Sequence, residues 1–142
     1  MPDGIKIPPQ NIEAEQSVLG ALLLDKNAVI KIADILHPED FYRDDHRIIY
    51  ENILKLFEKR KPIDVLTLTE ELTKVKKLKE VGGASYIATL VNGVPTAAHI
   101  TTYATIVNQK ATLRRLISAA SDITEFGFNE TSDLETVLDL IK

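Results

Sequence analysis

The hydrophobic positions of the chain repeat with helical spacing along most of its length. Side chains three, four and seven residues apart share one face of an α-helix, and the apolar residues follow that spacing in seven successive segments. No segment of four or more residues outside the loops alternates cleanly between apolar and polar positions, so the pattern predicts no β-sheet. The predicted fold class is all-α, with a compact helical subdomain followed by a protruding antiparallel helical hairpin.

Five short segments predict the compact subdomain. Their expected bounds are about 12–24, 27–36, 44–59, 67–75 and 84–91. Asn11 is the expected N-cap of the first helix, where Glu13 and Glu15 would face the positive end of the helix dipole. The buried stripe predicted for the third helix is Ile48, Ile49, Ile53, Leu56 and Phe57. Thr67 and Glu70 have the spacing of a capping box and predict the start of the fourth helix.

The most informative pattern lies between Thr96 and Phe126, where the chain contains neither glycine nor proline. The first half of this segment places Ile100, Tyr103, Ala104, Val107 and Ala111 on one stripe, and the second half places Leu113, Leu116, Ile117, Ala120 and Ile123 on another. At about 100° per residue the second stripe is rotated by roughly 180° from the first. Since one straight helix cannot bury both stripes against a single layer, we expect only the first half to pack on the subdomain.

Length favours a helix that protrudes from its own subdomain. Thirty helical residues span roughly 45 Å, whereas a compact chain of this size is only about 37 Å across. Gly127 is the expected C′ residue with positive φ, and Ser132 with Glu135 predicts a capped seventh helix. Leu134, Val137, Leu138 and Ile141 share one face of that helix. A kinked or broken sixth helix within one ordinary bundle is the alternative.

These elements predict three regions. Residues 1–10 form an extended N-terminal arm, residues 11–95 a globular helical subdomain, and residues 96–142 a helical hairpin. The chain stops within an apolar periodic segment, so the seventh helix is expected to be truncated, as in a fragment of a longer protein.

Composition narrows the classes of function. With 17 basic and 21 acidic residues the net charge is −4, which argues against a strongly basic nucleic-acid clamp. The absence of cysteine excludes disulfides and thiolate metal sites within this sequence. The N-terminus lacks the apolar core of a secretory signal, and no apolar run reaches the length of a membrane span. We therefore expect a cytoplasmic protein without membrane contact.

Motifs for catalysis are missing. No glycine-rich stretch fits a P-loop or a dinucleotide-binding turn, and His37, His46 and His99 lack the spacing of metal ligands. His46 follows Asp44 and Asp45, an arrangement that imitates a metal cluster but is better explained by the acidic first turn of a helix. We expect no catalytic, cofactor-binding or metal-binding residues, and therefore no enzyme activity in this chain alone.

One alternative function is binding of single-stranded nucleic acid through a helical domain. The cations available for it are Lys74, Lys76, Lys77, Lys79, Arg114 and Arg115. Only Tyr86 lies near the lysines in sequence, whereas single-strand binders usually interleave several aromatic residues that stack on bases. A solvated helix end is the favoured interpretation of the lysines, and a salt-dependent affinity for single strands would support the alternative.

The sequence itself resembles a known family. Residues 7–20, IPPQNIEAEQSVLG, closely resemble the opening of the bacterial replicative DNA helicase of the DnaB type. Similar stretches follow in family order at 40–42 with His46 and Ile49, at 62–64 with 67–68, at 82–83 with Tyr86, at 95–98, and at 103–107. The chain departs from the family at Ala28–Val29, near which many relatives carry tryptophan, and at His99, where asparagine is common.

The resemblance implies a non-catalytic N-terminal domain of a hexameric helicase, cut before its linker and motor. Hairpins of two subunits would pack together, three such dimers would form a collar, and primase would dock on that collar. ATP, Mg²⁺ and most DNA contacts would belong to the absent motor domain, leaving no cofactor here.

The residues expected to serve self-association or primase docking are apolar positions on or near the hairpin. They are Tyr86, Leu116, Ile117, Ile123 and Leu138. For Tyr86, an ordinary core role is an equal alternative.

Overall fold

The computed structural model describes residues 6–130 and 133–140, and its regular elements there are all helical. The helices are α1 (Ile12–Leu24), α2 (Ala28–Ile32), α3 (Asp44–Glu58), α4 (Val65–Lys74), α5 (Gly83–Asn92), α6 (Ile100–Phe128) and α7 (Leu134–Leu140), with a 3₁₀ turn at Pro38–Asp40. No strand occurs within these described ranges, which confirms the all-α prediction.

Helix α1 is the centre of the helical body. It contacts α2, α3, α5 and α6, and Val18, Leu19 and Leu22 on it are fully buried. Eight of its 13 residues are buried, which leaves little room for a polar face, as expected for a helix surrounded by others. At Gly20 the backbone of α1 lies directly against the carbonyl oxygen of Leu90 on α5.

Helix caps explain where the body helices begin. The Asn11 side-chain oxygen accepts a hydrogen bond from the Ala14 N–H at 2.9 Å, which confirms the predicted N-cap of α1. The cap predicted at Thr67 is wrong, because α4 begins at Val65 and Asp64 is its N-cap. The Asp64 carboxylate accepts from the Thr67 N–H at 2.8 Å, while the Asp64 N–H donates to the Thr67 hydroxyl at 3.0 Å. Thr67 is therefore the N3 residue of a capping box whose N-cap is Asp64.

Two predicted body features differ in detail. Helix α2 ends at Ile32 instead of residue 36, although Leu36 remains buried. Phe57, predicted to be buried, is 37% exposed although Ile49, Ile53 and Leu56 of the same stripe are buried, because it lies in the last turn of α3, at the end of the helix.

The ends of α6 also differ from the sequence prediction. The helix begins at Ile100 instead of Thr96, because Thr96 lies in a turn where its hydroxyl accepts from the Ala98 N–H at 3.1 Å. Gly127 is not a C′ residue with positive φ, since α6 continues through it to Phe128. The predicted cap residue Ser132 and the stripe residue Ile141 lie outside the described residues.

Helix α6 divides into two halves with different surroundings. Ile100, Ala104, Val107 and Ala111 are each at most 2% exposed, and no residue of α6 beyond Ala111 is buried. This confirms that the first half packs on the body and that the second half is not enclosed by it. Helix α7 follows after a short connection and buries none of its residues. Among the described residues, no helix is both long and apolar enough to cross a membrane.

Candidate docking surface

The second half of α6 exposes a row of large aliphatic side chains. Leu116 is 63% exposed, Ile117 56% and Ile123 44%, and Leu113 and Ala120 are exposed on the same face. Single exposed aliphatic residues are ordinary on protein surfaces, but a contiguous row marks a surface that another molecule covers. We call Leu113, Leu116, Ile117, Ala120 and Ile123 the distal stripe.

The distal stripe carries no charge. Thr112 and Thr124 flank it on the same face of the helix, whereas Asp122 and Glu125 project from roughly the opposite side at 100° per residue. A partner that covers the stripe therefore desolvates no charged group of α6.

A pair of arginines fixes the polar side of α6 to the body. Arg114 donates to the carbonyl oxygens of Pro9 and Asp40, both at 2.7 Å. Arg115 donates to the Asp40 carboxylate at 2.8 Å, and the other oxygen of that carboxylate accepts from the His37 N–H at 2.9 Å. We call Arg114, Arg115 and Asp40 the arginine clamp.

Burial shapes the electrostatics of this clamp. Arg114 also lies over the ring of Tyr42, with its guanidinium carbon 5.4 Å from the ring centre. Desolvation lowers the pKa of Arg114, which still leaves an arginine charged at neutral pH. Because the clamp holds one side of α6 toward the body, the distal stripe is turned outward.

Tyr86 occupies a different element and a different environment from the stripe. It lies half-buried on α5, and its hydroxyl hydrogen bonds to His46 Nε2 at 2.7 Å and accepts from Gln16 Nε2 at 3.2 Å. Its ring stacks on His46 with centres 6.1 Å apart, and Arg43 lies over it at 5.4 Å. These contacts tie α5 to α1 and α3, and the docking role expected for Tyr86 stays a prediction.

A buried polar pair that the sequence analysis did not identify completes this network. Glu15 and His46 are at most 1% exposed, and His46 Nδ1 lies 2.7 Å from a Glu15 carboxylate oxygen. The other carboxylate oxygen accepts from the Tyr42 N–H at 2.7 Å. With both ring nitrogens bonded and no solvent access, this pair holds helices together. The described ranges contain no group of three or more acidic or histidine side chains that could hold a metal ion.

The structure brings together only part of the expected docking set. Leu116, Ile117 and Ile123 share the distal stripe, whereas Leu138 lies on α7, where it is 46% exposed. The clamp residue Asp40 was not among the expected site residues, and it is only 3% exposed although it is charged. Asp40 follows Pro38 in a short 3₁₀ turn, and no periodic pattern marks such a residue as buried.

The comparisons with known proteins agree with this architecture. The family model described as the DnaB-like helicase N-terminal domain matches residues 7–109. The replicative DNA helicase DnaB of Geobacillus stearothermophilus is 45% identical over 134 residues, which cover 94% of this chain but 30% of that protein. The chain thus spans less than a third of the length of this curated relative.

Two solved structures share the fold. The crystal structure of the N-terminal domain of DnaB helicase from Mycobacterium tuberculosis matches with a TM-score of 0.90 and 43% identity, covering 94% of each chain. A DnaB-like replicative helicase, whose structure was described with its interactions with primase, matches with a TM-score of 0.73 and 25% identity. That match covers 92% of this chain and 34% of the other. The matched family model, the sequence identity and the shared fold show that this chain belongs to the DnaB-like helicase N-terminal domain family.

Proposed function

We propose that this chain is the non-catalytic collar domain of a replicative hexameric DNA helicase, which joins subunits and docks primase during DNA replication in the cytoplasm. The observation that carries the proposal is the distal stripe, an exposed and uncharged apolar surface on a helix held by the arginine clamp. Such a surface stabilises an assembly by being covered, without any bond being made or broken.

The expected energy of covering the stripe suits self-association. If several hundred Å² of apolar surface per chain leave water, at about 25 cal/mol per Å², the gross gain is several kcal/mol before the costs of association. That gain supports a dimer through the α6–α7 region. A trimer of such dimers, as in a hexameric collar, requires further contacts, including those of a motor ring.

Primase is the second proposed partner. A solved relative was described with its interactions with primase, and the present chain shares that relative's fold. We place the primase contact on the same α6–α7 surface, at Leu116, Ile117, Ile123 and Leu138, with Tyr86 as the position on the body. The nucleotide chemistry and most DNA contacts of a helicase would lie outside this chain, which contains no P-loop motif.

Sedimentation equilibrium of the chain and of two stripe variants tests self-association. Ile117→Asp and Ile123→Asp place a charge within the stripe, so both should weaken dimerisation at least tenfold without loss of helical circular dichroism. Ile30→Asp is a matched control, because Ile30 on α2 is 66% exposed but lies outside the stripe. Unchanged dimerisation in both stripe variants would show that the stripe is not part of the dimer interface.

Titration with the helical helicase-binding domain of primase tests the second partner. The same two stripe variants should bind that domain more weakly, and the Ile30→Asp control should bind it as the wild type does. Wild-type affinity in both stripe variants would place primase on another surface.

The contacts of the arginine clamp weaken the case for nucleic-acid binding as the main function. Arg114 and Arg115, which that alternative requires, already donate to Pro9 and Asp40. A salt-dependent affinity for a single-stranded oligonucleotide, lost on neutralising Lys74 and Lys76, would restore the alternative.

A further inference from the structure

The described part of the N-terminal arm, residues 6–10, lies along the second half of α6 and is called the arm from here on. Residues 6–10 form no helix or strand, yet the carbonyl oxygen of Pro9 accepts a hydrogen bond from Arg114 at 2.7 Å. Fixing an extended residue costs about 1–2 kcal/mol of conformational entropy. The clamp arginine offsets part of this cost and holds the arm in place beside the helix.

The arm and the helix enclose a groove of about 660 Å³. Its lining residues are Lys6, Ile7, Pro8, Arg114, Ile117, Ser118, Ser121 and Asp122. Ile7 is 73% exposed and Ile117 is 56% exposed, so two aliphatic side chains from different parts of the chain border one opening. Ile117 also belongs to the distal stripe, and the groove therefore adjoins one edge of the stripe and extends from there to the arm.

We infer that the arm forms part of the self-association surface, with Ile7 and Ile117 together receiving apolar side chains from the second half of α6 in a second copy of this chain. The inference rests on the proposed self-association and adds a segment that the helical pattern does not predict. Ile7 gains nothing from its fixed position while water surrounds it. Once a partner covers Ile7, its preorganised position becomes an advantage in binding.

Charge favours an identical copy as the occupant. The distal stripe is uncharged, so two stripes can meet without repulsion between like charges. The groove itself is lined by the cations Lys6 and Arg114 and by the anion Asp122, so it carries charges of both signs. In a two-fold symmetric interface each surface meets its own image, and a surface with both signs can complement itself.

Sedimentation equilibrium of arm variants of the full chain tests the inference. Ile7→Glu should weaken dimerisation about tenfold by placing a charge in the covered groove, and Ile7→Ser should weaken it by a smaller factor. Leu66→Glu is the matched control, because Leu66 on α4 is 68% exposed and outside the groove. Circular dichroism should be unchanged in all three, since each residue projects into solvent.

Comparison with Ile123→Asp separates this inference from the proposed function. Weaker dimerisation in both Ile123→Asp and Ile7→Glu, with wild-type behaviour in Leu66→Glu, would support both. If Ile123→Asp weakens dimerisation while both Ile7 variants match the wild type, the arm lies outside the interface and only the inference fails. A wild-type chain that stays monomeric at every concentration would overturn the self-association and the arm's role together.

Discussion

At the scale of single residues, Asp40 joins the 3₁₀ turn to α6 through contacts that no pattern in the sequence predicts. Its carboxylate joins the His37 N–H to Arg115, and its carbonyl oxygen accepts from Arg114. Removing a buried acceptor leaves its donors without partners, which costs more than the net value of the hydrogen bonds themselves.

Asp40→Ala should therefore lower the free energy of unfolding by about 2–3 kcal/mol, measured by urea denaturation at neutral pH. Arg115→Ala removes the exposed end of the same ion pair, whose side chain is 56% exposed, and should cost less than about 1 kcal/mol. If the two variants were equally stable, the buried carboxylate would have no special role in holding α6.

A second residue-scale prediction concerns acid pH. Lys59 donates to Glu71 at 3.2 Å, and this hydrogen bond is the main reason that the pKa of Glu71 is lowered. Since the unfolded chain then binds the proton more readily, the pair stabilises the fold above the usual glutamate pKa of about 4.3. This stabilisation is lost as the pH falls through the lower pKa of the folded state.

Lys59→Gln should accordingly destabilise the protein at neutral pH and lose that effect as the pH falls below about 4, measured by urea denaturation across this range. Lys77→Gln is the control, because its partner Glu80 is half-exposed and the ion pair contributes little. An equal penalty for Lys59→Gln at neutral and acid pH would contradict the charged pair as its cause.

The sequence could have indicated the buried polar residues, because their spacing matches the apolar stripes. Glu15 precedes Val18, Leu19 and Leu22 by three, four and seven residues, and all four are buried. His46 has the same relation to Ile49, Tyr50 and Ile53 on α3. A charged residue in an apolar stripe does not name its partner, however, because the Glu15–His46 contact joins residues 31 positions apart.

At the scale of elements, glycine sets the distance between α1 and α5. A Cβ atom at Gly20 would lie 2.6 Å from Val94 Cγ2 and even closer to the Leu90 carbonyl oxygen. The second of these is backbone and cannot rotate away. Helices that pack this closely need a residue without a side chain at the point of contact.

Gly20→Ala should thus destabilise the protein by about 1–3 kcal/mol. Gly127→Ala should have the opposite sign, with a gain of up to about 1 kcal/mol, because Gly127 lies within α6 and an added Cβ meets nothing within 4 Å. Thermal denaturation of the two variants measures both changes. A loss of stability in both would mean that crowding is not what distinguishes the two glycines.

Helix type and the rotation of the α6 stripes were predictable at this scale, whereas several helix ends were not. The helical spacing of apolar residues is read over many positions, so the prediction of a long helix does not depend on any single residue. A cap depends on a few local hydrogen bonds. Thr67 fits the capping-box pattern as an N-cap, but in the structure it is the N3 residue of a box whose N-cap is Asp64. The start of α6 depends on local hydrogen bonds in the same way: the Thr96 hydroxyl accepts from the Ala98 N–H, and the helix begins only at Ile100.

At the scale of the whole molecule, one helix serves two surfaces. Its first half belongs to the core of the body, and its second half is held by the arginine clamp with the distal stripe turned outward. The sequence predicted this division from the two stripes alone. It could not predict the clamp or the position of the arm, because the contact from Arg114 to Pro9 spans 105 positions that no local pattern records.

Thiol labelling of single-cysteine variants tests the outward-facing stripe most directly, because the natural chain contains no cysteine. Leu116→Cys and Ile123→Cys report on the distal stripe, and Glu125→Cys reports on the opposite side of the same helix. As the chain concentration rises, we expect labelling to slow at positions 116 and 123 and to stay constant at 125. Equal protection at all three positions, or no protection at any of them, would contradict docking through the distal stripe.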